Sequence, residues 1–373
     1  MIRVFWCRIL LVALSQSCFA MLRALFSLDS ASWSAPNIVL VETTPIDGTF
    51  RVLESWKGDL SAGSHVVIPD LIPKLNALPI SAYPNLWAPP DRSGIAEQIP
   101  RQPAGSRLVL FLRRNKLEAR DAQKSEWVGW VTQAEKDSMK ISAVWIDAGA
   151  TYFFAERFTS GPFSLTVLGE YDREEKRFEP YSEESLKQYV EKVLRVQSEM
   201  TAILAEKDGR TRALRLKPYV TSKILPARRQ AMEELGKAGS SAVGPIGEML
   251  DDPAFAEQAP ELVDAMVKAG GKDVGAELNR RLEQDVAFWM RTGPSLSPGW
   301  WNEDPMPSSP LRNRYGQTYR LVYGLDQTGY PGALNTAIRL RDFWRSLPQL
   351  DDPSGLSQMA VECEKLIAHL QEK

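Results

Sequence analysis

The stretch 37-NIVLVETTPIDGTFRVLESWKGD-59 decides the fold class of the first half of the chain. Asn37 to Thr43 is a run of aliphatic and β-branched residues that suits a strand. Asp47-Gly48 is a hairpin signal, because tight hairpin turns need the positive φ that glycine adopts without strain. Beyond it Phe50 and Val52 alternate with Arg51 and Glu54, giving one face for a core and one for water. Lys57-Gly58-Asp59 then punctuates the run.

Working outward, Ser64 to Pro69 (SHVVIP) predicts a third strand, and Arg107 to Arg113 (RLVLFLR) a fourth that is apolar enough to be buried on both faces. Further strands are expected at Ser125 to Val131, Ile141 to Asp147, Tyr152 to Glu156 and Phe163 to Glu170. Between the third and fourth lies a long Pro-rich loop, residues 71–105, with prolines at 73, 79, 84, 89, 90, 100 and 103. A loop of that length inside a compact domain is typically functional or disordered. Upstream, residues 22–34 read as a short amphipathic lead-in helix.

The order NIVLVE, FRVLESWKGDL, Gly63 with HVVIP, and Gly105-Ser106 with RLVLFL resembles the OB-fold barrel of the netrin-module and tissue-inhibitor-of-metalloproteinases superfamily. The Lys57-Gly58-Asp59 turn and the Arg107 to Leu112 strand carry the resemblance best. It implies an antiparallel, OB-like β-barrel over residues 21–175. Inhibition of metalloproteinases does not follow, since those inhibitors ligate zinc through an N-terminal cysteine and no cysteine occurs here between Ala20 and Ala360.

Residues 1–20 have the layout of a secretory signal peptide: Arg3 and Arg8, the apolar run Ile9 to Leu14, and Cys18-Phe19-Ala20 as an A-x-A-like site. Ser15, Gln16, Ser17 and Arg23 interrupt the run before it reaches the length of a membrane span. The expectation is an exported protein, periplasmic or extracellular, cleaved near Ala20 and not integral to the membrane. Cleavage would leave Cys363 as the remaining thiol, in an apolar-periodic segment that suits a buried helix residue.

The period changes at the charged stretch Tyr171 to Glu184. Leu186, Val190, Val193, Met200 and Leu204 mark one helical stripe, with Ser182 and the acidic Glu183 and Glu184 at its start. Further on, a shift of 31 residues sets Lys237-Ala238-Gly239 on Lys268-Ala269-Gly270 and Val243-Gly244 on Val274-Gly275, while Ala231, Met232 and Leu235 fall on Leu262, Val263 and Met266. A helix, a Gly-marked turn and a second helix per unit is how helical solenoids are written. Ser241 to Pro253 (SAVGPIGEMLDDP) resembles the second helix of a HEAT repeat. Residues 182–373 are therefore expected to form an α-α superhelix, interrupted by a Trp- and Pro-rich insertion at 291–311. Helices are expected again at Tyr319 to Asp326, Pro331 to Leu347 and Gly355 to Leu370. The fold class is α+β in two domains.

With 44% hydrophobic and 25% charged residues over 373 positions the chain is an ordinary globular protein, and a formal charge of -2 offers no pull towards nucleic acid. Its two histidines, His65 and His369, leave metal and triad chemistry short of ligands and bases. No H-E-x-x-H, C-x-x-C, G-x-S-x-G, P-loop or G-x-G-x-x-G is present, so no metal, cofactor or catalytic residue is expected. Asp251-Asp252 and Asp351-Asp352 precede prolines and read as turn residues. The 11 tryptophans are the one unusual abundance. Trp300, Trp301 and Trp87 lie in Pro-rich loops, where exposed indoles anchor a partner or stack on sugars; Trp289 and Trp344 lie in helical patterns and read as core. Arg210, Arg212, Arg215, Lys217, Arg228 and Arg229 form a basic concentration that could meet an acidic partner. The favoured function is a non-enzymatic protein-interaction or scaffold role with another protein as partner. The alternatives are carbohydrate or cell-wall binding through those three tryptophans, and an enzyme using an unrecognised carboxylate pair.

Overall fold

Ser27 is the N-cap of α1 (Leu28–Ser34), its hydroxyl accepting from the Ser30 amide at 3.2 Å. The structure, a computed structural model, describes residues 27–46, 48–68, 71, 105–114, 131–132, 139–146, 150–153, 164–167, 169–172, 177–296, 300, 310–347 and 359–372. The expected leader at 1–20 and nearly all of the loop at 71–105 lie outside the described residues. The chain divides into two compact units, Met1–Arg195 and Val196–Lys373.

In the first unit β1 (Asn37–Thr43) and β2 (Thr49–Lys57) form the expected hairpin, with Gly48 at φ +69° in its turn. β3 (His65–Val67) pairs with β2, and β4 (Arg107–Arg114) pairs with the other side of β1. β5 (Val131–Thr132), β6 (Met139–Ile146), β7 (Ala150–Phe153) and β8 (Ser164–Val167) extend the antiparallel sheet, whose order is β3-β2-β1-β4-β6-β7-β8 with β5 on β6. A separate hairpin joins β9 (Gly169–Asp172) to β10 (Arg177–Pro180). The closed barrel expected from the sequence is not formed by these strands. Among the described residues β3 and β8 stand at opposite ends and do not pair, and they offer only three and four residues for closure.

β1 and β4, at the centre of the sheet, are buried on both faces, which explains why NIVLVE and RLVLFL read as runs rather than alternations. Ile38, Leu40, Val109 and Phe111 pack with Leu28, Ala31 and Ala35 of the α1 region and with Leu186 and Val190 of α2 (Glu183–Leu204). Val39, Val41, Phe50, Val52, Leu108, Leu110 and Leu112 are buried as well. Each such side chain contributes roughly 1.5–3 kcal/mol. Polar contacts fix the start of α2: Lys187 meets Glu54 at 2.5 Å, Arg107 meets Glu183 at 2.7 Å, and the Tyr189 hydroxyl donates to Asp29. The compact units accordingly divide inside α2, whose first half shares the sheet's core, and not in the charged stretch before it.

The Lys57-Gly58-Asp59 turn does three separate things. Lys57 Nζ donates to the Ser32 and Trp33 carbonyls, both at 2.9 Å, satisfying acceptors that the end of α1 would otherwise leave open. Burial pushes this amine below its ordinary pKa. The Asp59 amide donates to Asn37 Oδ1 at 2.9 Å, and Gly58, at φ +97°, lets the chain pass over Asn37.

The second unit is helical: α3 (Gly209–Val220), α4 (Leu225–Lys237), α5 (Val243–Asp251), α6 (Ala259–Gly270), α7 (Gly275–Thr292), α8 (Pro310–Thr328), α9 (Leu334–Ser346) and α10 (Met359–Gln371). α4, α6, α8 and α10 pack in succession as one row. In the other row α3 packs on α5 and α7 on α9, while the buried Arg281 of α7 bridges to Asp251 and the Gly247 carbonyl of α5. One local pattern recurs three times. A helix ends, a glycine takes positive φ, a 3-10 turn follows and the next helix starts: α4, Gly239 (φ +77°), Ser240–Ala242, α5; α6, Gly271 (φ +57°), Gly271–Val274, α7; α8, Gly329 (φ +59°), Pro331–Ala333, α9. The sequence register sets Gly239 on Gly270, but the left-handed residue is Gly271, because α6 runs on through Gly270 whereas α4 stops at Lys237.

Candidate functional site

α4 opens with Pro226 in its first turn and buries Ala227, Ala231 and Leu235 at i, i+4 and i+8 towards the core. Its other side forms a groove of about 570 Å³ with α6 and the turn Pro253–Gln258, within the range of ligand sites. Met232 and Ala265 line its apolar part. Arg228 and Arg229 stand on the α4 side, and Glu257 and Glu261 come from the turn and the first turn of α6. None of these four makes an ion pair among the described residues. Of the other charges at the groove, Glu233 meets Lys237 at 2.5 Å and Asp264 meets Arg320 at 3.5 Å, while Lys268 of α6 acts on both of these carboxylates through its charge. Burial raises the Asp264 carboxyl above its ordinary range, against the pull of Arg320 and Lys268.

A second cluster lies around Trp289. Asp285 of α7 is 1% exposed; Arg314 of α8 meets it at 2.5 Å and the Thr318 hydroxyl lies 2.7 Å from its other oxygen. Trp289 Nε1 donates to the Thr318 hydroxyl at 3.0 Å, and the Arg314 guanidinium sits 4.9 Å from the Phe288 ring centre. Burial pushes Asp285 up to about 6, with Arg314 opposing it. Trp300 is 4% exposed, its ring 6.1 Å from Trp289 and 6.3 Å from Tyr315, so its indole is part of this aromatic core and offers no open face. Trp344 packs on Trp289 at 5.4 Å. Trp301 and Trp87 lie outside the described residues.

The remaining candidates are scattered. His65 is exposed on β3, while His369 Nδ1 lies 2.8 Å from Asp326 Oδ1. Cys363 is buried, and burial pushes its thiol up to about 12. Asp252 caps the Pro253–Gln258 turn through the Ala254 amide at 3.0 Å, the turn role read from the sequence. Asp251 belongs to Arg281. Of the basic concentration, Lys217 meets Asp252 at 3.7 Å and lies 5.3 Å from the Phe255 ring centre, Arg210 and Arg215 are exposed, and Arg228 and Arg229 reach the groove. Among the described residues no three His, Cys, Asp or Glu side chains gather to hold a metal ion, and no helix is long and apolar enough to cross a membrane.

Sequence reasoning missed the buried ions Arg281 and Asp285. Their signal was positional: both fall on the apolar stripe Leu278, Leu282, Val286, Trp289 of α7, where an unpaired charge would be prohibitive. No family model, curated protein or solved structure matches the chain.

Proposed function

We propose that the chain is an exported, non-enzymatic protein-interaction protein, in which an OB-like β domain accompanies a HEAT-like helical superhelix that carries the partner-binding surface. The observation that carries this reading is the threefold recurrence of helix, left-handed glycine, 3-10 turn and helix, with the helices packed in two rows. Stacked units of this kind leave grooves between successive helices, and extended surfaces of that sort serve binding. The groove between α4 and α6, with Arg228, Arg229, Glu257 and Glu261 outside any ion pair among the described residues, supports it further.

Two measurements test the reading. Photo-crosslinking residues placed in the full chain at Arg229, Glu261 and Tyr323 are expected to trap a partner protein from the envelope fraction. Crosslinks arising only from sheet positions such as Arg51 and Val67, or from neither set, would remove the helical unit as the binding surface. N-terminal sequencing of the secreted or periplasmic form is expected to begin just after Ala20, and a cytosolic chain retaining Met1 would remove export.

A further inference from the structure

We infer that the groove between α4 and α6 docks a segment of a partner protein that carries both charge signs, its carboxylates against Arg228 and Arg229 and its basic side chains against Glu257 and Glu261. This rests on the interaction reading above and adds to it the site and the partner's chemistry.

Opposite charges brought to neighbouring helices ordinarily close into ion pairs where the side chains can reach. Asp264 does so with Arg320, and Lys217 does so with Asp252. The four charges around the N-terminal ends of the two helices do not close among the described residues, and the groove of about 570 Å³ lies between the α4 side and the α6 side. Arg229, Glu257 and Glu261 are exposed and Arg228 is half-buried, and at this end of the groove the bases stand on the α4 side and the acids on the α6 side. A purely acidic segment would gain at Arg228 and Arg229 and be repelled by Glu257 and Glu261; a purely basic one would meet the reverse. Only a segment with both signs satisfies both sides at once, which is selection by repulsion as much as by attraction. Met232 and Ala265 supply an apolar strip on which its aliphatic side chains can rest, and an unbranched thioether adapts readily to such contacts. The groove is open to solvent, so a chain segment lying along it buries more than a free amino acid could.

The test uses the full chain and three fluorescein-labelled peptides of equal length and equal apolar content, one bearing Glu and Lys, one Glu alone and one Lys alone, titrated by fluorescence anisotropy. The mixed peptide is expected to bind about tenfold more tightly than either single-sign peptide. The paired change Arg228→Glu with Arg229→Glu is expected to abolish that preference. Adding Glu257→Arg and Glu261→Arg to it inverts the groove's polarity and is expected to restore mixed-peptide binding, a rescue that a misfolded variant cannot give. Equal binding of the three peptides, no binding of the mixed one, a preference for a single sign, or an unchanged affinity after the paired change would overturn the proposal. If helical positions crosslink to a partner while the mixed peptide shows no preference, this proposal fails and the wider interaction reading stands.

Discussion

Gly58 and Asn37 are fitted to each other so closely that a Cβ on Gly58 would stand 1.9 Å from Asn37 Oδ1 and 2.5 Å from the Pro36 carbonyl oxygen. That same Oδ1 accepts from the Asp59 amide at 2.9 Å, and Asn37 is itself buried. The residue that opens β1 and the turn that closes β2 therefore share one contact, and the hairpin's ends are held together as well as its middle.

Gly58→Ala is expected to destabilise the first unit by about 3 kcal/mol or more, combining a left-handed φ with backbone and side-chain collision. Gly63 is the control, since it also has positive φ, +85°, but a Cβ there would meet nothing within 4 Å. Gly63→Ala should cost only about 1 kcal/mol, the backbone strain alone. Urea denaturation of both variants, followed by circular dichroism, isolates the collision as the difference. Equal losses would mean that Asn37 moves aside freely.

At Gly239 and Gly271 a Cβ would likewise meet nothing within 4 Å, although both hold positive φ. If the two turns are equivalent units of one design, Gly239→Ala and Gly271→Ala should cost the same, about 1 kcal/mol each, and Asn at either place should cost less. Unequal losses of more than about 1 kcal/mol would show that the turns only resemble each other, since independent sites otherwise add simply.

Asp285 gives a pH dependence opposite to that of an ordinary paired carboxylate. Its folded pKa, about 6, lies above its ordinary value of 3.8, so the folded chain binds this proton more tightly than the unfolded one. The stability contributed by protonation is fully present below the unfolded value and is lost as pH rises through about 6. The expected size is about 3 kcal/mol, taking 1.36 kcal/mol for each pH unit of displacement. Urea midpoints measured from pH 4 to pH 7 should therefore show the wild type losing ground to Asp285→Asn as pH rises. A difference that stays flat across that window would mean that Arg314 holds the carboxylate ionised throughout.

Much of the fold was legible because its elements obey local rules. The hairpin from Asn37 to Lys57 announces itself by composition and by Asp47-Gly48, and the helix stripe Leu186, Val190, Val193 is buried as its period requires. What was not legible depends on partners distant in sequence. α8 starts at Pro310, well before Tyr319, because Arg314 pairs with Asp285 and Gly316 lies against Pro260; neither residue carries a helical apolar signal of its own. Trp300 looked like a surface indole in a Pro-rich loop, and only the positions of Trp289 and Tyr315 make it core. The groove is harder still to see in advance: the basic concentration marks Arg228, but nothing in the sequence sets it opposite Glu261 until α4 and α6 pack side by side.

Cys363 offers the last test, of the C-terminal helix. It sits on the buried stripe of α10 with Met359, Leu366, Ile367 and Leu370, and burial holds its thiol near 12, far above the range in which a thiolate forms at neutral pH. In the native chain at pH 8 it should be silent to a thiol reagent such as dithionitrobenzoate, and labelling should begin only where urea unfolds the second unit. α10 packs against both α8 and α9, so its opening should coincide with theirs and the labelling midpoint should match that of helix loss. Rapid labelling without denaturant would show α10 detaching on its own, and with it the end of the helical stack.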